Sequence, residues 1–168
     1  MVEVTPETAD RLLRAETVTF DTVDARSADA RAAVTAYFAE LAARFPGGFE
    51  PGDALDTDAD AFDPPAGAFV VVHDGTDVAG CGGLQRIDPA TAEIKRMWVH
   101  PGWRSVGLGR RLLAHLESLA RTQRRTRVVL DTNATLLEAI AMYERAGYHA
   151  IDRYNDNPYA QHWFAKDL

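Results

Sequence analysis

The chain has 168 residues, 46% of them hydrophobic, a net charge of −7 and a single cysteine, Cys81. That length suits one domain, residues 1–168, with one sizeable core, and a lone cysteine excludes both an internal disulfide framework and a multi-cysteine metal site. No apolar run approaches the ~18 residues that span a bilayer, and the polar, acidic opening does not read as a signal peptide, so a cytoplasmic protein without membrane attachment is expected.

The charge is unevenly spread. Residues 1–67 carry 14 acidic and 5 basic side chains, whereas residues 68–168 carry 11 and 13. The acidic balance disfavours nucleic acid as a main partner, and the asymmetry favours a cationic small molecule near the first half.

In chain order, Thr5-Pro6-Glu7 is a helix start with proline at the first helical position. Leu12 and Leu13 follow as a small apolar face, and Val18 to Val23 reads as a first strand. Ser27 can cap a helix over Ala28 to Phe45, in which Ala33, Tyr37, Leu41 and Phe45 recur at four-residue steps. Pro46-Gly47-Gly48 stops it. Phe49 to Pro65 is acidic and proline-containing, a loop with one irregular helical turn. Ala68 to His73 is a strand, Asp74-Gly75 a hairpin turn, and Val78 to Leu84 its partner. Gly80, Gly82 and Gly83 within that partner imply a bulge or the close approach of a neighbour. A turn at Ile87 to Ala90 leads into a strand from Glu93 to Val99.

Pro101-Gly102 then opens a glycine-containing loop, Arg104-Ser105-Val106-Gly107-Leu108-Gly109, followed by a helix ending near Arg124 with Leu108, Leu112, Leu113, Leu116 and Leu119 on one face. A strand, a glycine loop and a helix N-terminus make a seat for an anion, because the first helical turn has unpaired N–H groups. The dinucleotide fingerprint and the P-loop both fail to match; what stands here is R-x-x-G-x-G. Arg127 to Leu130 is a short strand joined by a parallel crossover. Leu136 to Arg145 is a helix closed by Gly147, and Tyr148 to Asp152 and Gln161 to Lys166 are the last strands.

Arg104, Gly107 and Gly109, behind the strand Glu93–Val99 and ahead of a leucine-patterned helix, resemble the acyl-CoA signature of the GCN5-related N-acetyltransferases (GNAT). So does Ala139-Ile140-Ala141-Met142-Tyr143-Glu144-Arg145-Ala146-Gly147-Tyr148, which is similar to that family's A-x-x-x-Y-x-x-x-G-F/Y stretch. The resemblance is specific from Ala68 onward. It implies an α/β fold of the GNAT acyl-CoA N-acyltransferase kind: a mixed, mostly antiparallel, twisted central sheet flanked by helices. It implies acetyl-CoA as co-substrate and transfer of its acetyl group to an amine. Main-chain N–H groups of Arg104, Ser105, Val106, Gly107, Leu108, Gly109 and Arg110 would hold the pyrophosphate. The backbone of Met97, Trp98 and Val99 would meet the pantetheine arm, with Trp98 equally readable as core.

Tyr143 would be the general acid for the thiolate and Glu93 the general base, although Lys95 on the same strand face could neutralise Glu93 instead. Asn133 is a candidate for hydrogen bonding to the coenzyme or for capping the next helix. Arg44, Phe45, Phe49 and Tyr154 are candidate acceptor-pocket residues. The expected acceptor is a small-molecule or amino-acid amine. A protein or peptide acetyltransferase and an inactive acyl-CoA-binding regulatory domain are the alternatives, and a homodimer is common in the family. The five histidines have no metal-ligand spacing, so no metal is expected.

Overall fold

The computed structural model describes residues 4–168. Seven strands, β1 (Thr19–Val23), β2 (Ala68–Asp74), β3 (Asp77–Arg86), β4 (Thr91–Val99), β5 (Arg127–Thr132), β6 (His149–Ala150) and β7 (His162–Asp167), form one sheet in the order β1-β2-β3-β4-β5-β7-β6. All neighbours are antiparallel except β4 and β5, which run parallel. The helices are α1 (Pro6–Glu16), α2 (Ala28–Arg44), α3 (Ala54–Thr57), α4 (Leu108–Thr122) and α5 (Leu137–Arg145). Helix α4 is the crossover that a parallel pair requires.

Alternation in β2 builds two cores from one strand. Ala68, Val70 and Val72 face Leu112, Leu113 and Leu116 of α4, while Phe69 and Val71 face Ala33, Val34 and Phe38 of α2. A run that is apolar at every position is what a strand covered on both sides needs. Each fully buried leucine on α4 contributes about 1.5–3 kcal/mol. The side chains of Thr5 and Ser27 accept from the backbone N–H groups of Thr8 and Ala30 and so start α1 and α2.

Three expectations need adjustment. The segment Phe49 to Pro65 contains two turns of helix, α3 and a 3-10 turn over Ala59–Phe62, and the second buries Phe62 against the sheet. That contact explains one glycine of β3, since a methyl group at Gly83 would lie 2.2 Å from the Phe62 ring. The strand expected over Tyr148 to Asp152 shrinks to His149–Ala150. Tyr148 instead turns into the core, where its hydroxyl donates to Glu117 (3.0 Å), which also accepts from Lys166 Nζ (3.0 Å). Helix α5 begins at Leu137 with Leu136 at the cap position, so Asn133 is not its cap.

Strands β4 and β5 pair only over Thr91–Glu93 and Arg127–Val129. Beyond Glu93 they part. The cause lies in β4, whose register against β3 slips between Cys81 and Gly83, with Arg96 at a left-handed φ of 56°. A non-glycine residue holds that conformation only when its surroundings enforce it. Here the Arg96 guanidinium reaches Ala54 O (3.2 Å) and Asp58 (3.1 Å) and lies over the rings of Phe38 and Phe62, while its carbonyl accepts from Cys81 Sγ (3.3 Å).

Candidate active site

The loop after β4 ends in a helix start without a side-chain cap. Ser105 has φ 66° and Gly107 φ 79°, and Gly107 occupies the cap position of α4. Alternating left-handed residues turn successive N–H groups inward, and the uncapped first turn of α4 adds its own donors and the positive end of its dipole. Gly107 is required by its φ, because space around it is open. Gly109 is required by packing, since a methyl group there would lie 3.1 Å from Met142 Sδ on α5.

Two cavities lie along the part of β4 that β5 leaves unpaired. One, about 740 Å³, runs from Ser105 and Gly107 past Val99 and Met97 to Tyr143. The other, about 530 Å³, lies on the α2 side and is walled by Phe38, Phe45, Phe49 and Tyr159. They share Tyr37, Leu41, Met97, Leu136, Ala139 and Tyr143. The Tyr143 hydroxyl lies 4.0 Å from Met97 Sδ at this junction. Burial, with Asp131's charge adding to it, raises the Tyr143 pKa far above the ordinary tyrosine value, so the phenol stays protonated.

Of the residues expected at the coenzyme, Met97, Trp98, Val99, Arg104, Ser105, Gly107, Leu108, Gly109 and Arg110 line the first cavity. Val106 does not; it packs against the main core. Trp98 is also core, packed with Phe38 and Leu41 of α2, and its buried indole N–H finds no acceptor. The Arg104 side chain is turned away from the loop: Nε donates to Val99 O (3.0 Å) and Nη2 to Glu40 (2.5 Å), clasping the end of β4 to α2. Arg44 pairs with Glu138. Arg110 and Arg145 are exposed at the cavity mouth.

Asn133 lines the second cavity, not the first. Its amide is spent on bracing loops: Nδ2 donates to Tyr159 O (2.8 Å), and Oδ1 accepts from the N–H and hydroxyl of Thr135 (2.9 and 2.8 Å). Glu93 is 4% exposed and lines neither cavity. Lys95 stands 3.6 Å from one of its oxygens, and the Tyr154 hydroxyl donates to the other at 2.6 Å. Burial, together with the Glu93 charge, raises the Tyr154 pKa far above normal. Asn155 bridges onward, donating to Glu93 (3.4 Å) and to Asp131 (2.5 Å) and accepting from the Trp163 indole (2.9 Å).

Sequence reasoning passed over Asp131. Strand alternation on Val128-Val129-Leu130-Asp131 was its signal, since Val128 and Leu130 enter the α4-side core and leave Asp131 on the opposite face. Cys81 is buried in the α2-side core, and burial pushes its thiol up to about 12, so it is no nucleophile.

Comparison with known proteins shows the family and the fold. The model of the acetyltransferase (GNAT) family matches residues 34–148, and the chain belongs to that family. An uncharacterized N-acetyltransferase of Schizosaccharomyces pombe is 31% identical over 108 residues, covering 63% of this chain and 66% of its own length; the chain thus spans just under two thirds of that relative. Among solved structures, a GNAT acetyltransferase from Staphylococcus aureus superposes with a TM-score of 0.77 at 15% identity, covering 90% of this chain and 99% of the other. A GNAT acetyltransferase from Elizabethkingia anophelis with acetyl-CoA bound gives a TM-score of 0.63 at 15% identity, covering 91% and 99%. Among the described residues no helix is long and apolar enough to cross a membrane.

Proposed function

We propose that the chain is an acetyl-CoA-dependent N-acetyltransferase that moves an acetyl group directly to a primary amine of a small molecule. The observation that carries this reading is the stretch of β4 left unpaired by β5, along which two cavities lie that share Met97 and Tyr143 in their walls. The first fits the co-substrate: an anion seat at the α4 N-terminus, two mouth arginines, and a strand edge left unpaired by the divergence of β4 from β5. The second fits the acceptor, since a walled cavity of about 530 Å³ suits a small molecule better than a polypeptide laid across the sheet.

Acetyl-CoA, when bound, supplies a thioester carbonyl. The main-chain N–H groups along the free edge of β4 can donate to a developing oxyanion there. Tyr143 reaches the same junction with a hydroxyl that burial keeps protonated. A phenol with so high a pKa makes a hydrogen-bond donor to the departing sulfur, and it gives up its proton only as it receives another from the nitrogen. Glu93, one hydrogen bond behind Tyr154, would take a proton from the amine only by way of that hydroxyl.

The test combines calorimetry with a thiol-release assay. Saturable one-to-one binding of acetyl-CoA, and free thiol appearing only when a primary amine is added, is the expected result. Binding without release for any amine would instead favour a regulatory domain that holds the coenzyme and does no chemistry.

A further inference from the structure

Resting on that reading, we infer that the acceptor is a primary amine carried on an aromatic or similarly flat apolar body, with its ammonium seated at Asp131. The wall comes from separate parts of the chain. Phe38 lies within α2 and Phe45 caps its C-terminus, Phe49 follows the glycine turn, and Tyr159 comes from the loop before β7. Phe49 is the hub, with ring centroids 5.3 Å from Phe38, 5.9 Å from Phe45 and 4.7 Å from Tyr159. All four rings line the same cavity, so a flat apolar body there meets aromatic surface.

The charges lining the cavity reduce to a simple pattern. Arg96 is neutralised by Asp58 (3.1 Å) and Lys95 lies beside Glu93 (3.6 Å). What remains is Glu50, exposed at the rim, and Asp131, half-buried beside the junction with Tyr143. Asp131 is oriented by two neutral amides: Asn155 donates to one oxygen (2.5 Å) and Asn157 to the other (3.1 Å). Amide donors fix a carboxylate without cancelling its charge, so each oxygen keeps a lone pair for an ammonium. A carboxylate at this point can also take the ammonium's proton, turning R–NH3+ into the neutral R–NH2 that attacks the thioester carbon; that proton then leaves to solvent from Asp131. Among the described residues, Asp131 is the one unpaired carboxylate inside the cavity, while Glu50 stands at the rim in water where its charge is screened, so the enclosed part suits a monoamine on a ring.

Two measurements test this. In the thiol-release assay, 2-phenylethylamine and tryptamine should give kcat/KM values at least about tenfold above spermidine, lysine and a lysine-bearing peptide. Separately, 2-phenylethylamine and its uncharged analogue 2-phenylethanol are titrated into wild type and Asp131→Asn without coenzyme. The amine should lose roughly ten- to hundredfold in affinity in the variant, the scale of a hydrogen bond to a charged group, while the alcohol is unchanged. If Asp131→Asn fails to fold, Phe49→Leu, a change in the half-buried loop, takes its place and should weaken amine and alcohol alike. A preference for spermidine, amino acid or peptide, or equal losses for amine and alcohol in Asp131→Asn, overturns the inference. Ring-amine binding without thiol release overturns the proposed activity and leaves the seat standing.

Discussion

Tyr143 shows why placement matters more than residue type. Its ring is buried against Tyr148 and Phe164 (centroids 5.8 and 6.3 Å), which leaves the hydroxyl as its one polar contact with the junction. Tyr143→Phe keeps that packing and removes only the donor. We expect kcat to fall about 10²- to 10⁴-fold, the range for a general acid, with acetyl-CoA affinity by calorimetry unchanged; full turnover in the variant would remove Tyr143 from the chemistry. The motif around this tyrosine was legible because helix spacing and the glycine after it are local signals. The roles of Arg96 and Arg104 were not legible, because each is set by partners far along the chain, whereas the face Asp131 occupies could have been read from strand alternation. Nothing in E-I-K-R-M-W-V announces a left-handed arginine, for the residues that hold it there are Ala54, Asp58 and Phe62. Arg104 carries a recognisable spacing, yet its guanidinium binds Glu40, 64 positions away.

Among elements, the α4–α5 contact is the joint on which the proposed anion seat depends. Gly109 lets α4 lie against Met142, and Met142 is one residue from Tyr143. Gly109→Val therefore pushes α5 outward and should cost about 1–3 kcal/mol of stability, as overpacking does, together with weaker acetyl-CoA binding. Thermal melting and calorimetry check the pair of effects. Loss of binding without loss of stability would mean that the added side chain merely blocks the ligand. Element order was readable because helix starts, turns and periodicity are encoded nearby. The short β6 was misjudged because the alternation from Tyr148 onward looks like a strand, whereas the buried Glu117–Lys166 pair draws Tyr148 inward.

Across the whole molecule, His73 ties three elements together. From β2 it hydrogen-bonds Asp21 of β1 (2.8 Å) and Asp29 of α2 (2.9 Å). Burial alone would lower its pKa, but the two carboxylates outweigh that and raise it above the usual 6.5. A raised folded-state pKa stabilises fully below about pH 6.5 and stops doing so as pH climbs through the folded value. His115, which burial holds low, acts in the opposite sense, because below about pH 6.5 its unfolded form takes up a proton that its folded form refuses; it is common to wild type and His73→Gln and so cancels in their comparison. Both aspartates are about half exposed, so the effect is discounted to roughly 1 kcal/mol or less. Between pH 6 and pH 8.5 the protein should lose about 2–4 °C more in Tm than His73→Gln does; identical pH profiles would show that the link carries no stability.

The divergence of β4 from β5 has a consequence for how such a chain can change over time. In the proposed reading, one substrate is met mainly by main-chain atoms around residues 97–110, which point replacements seldom disturb, and the other by side chains from residues 38–58 and 131–160. Ordinary amino-acid exchange can therefore retune what is modified while leaving the donor unaltered, and a library confined to Phe45, Phe49, Asp131 and Tyr159 would sample new acceptors on an intact engine.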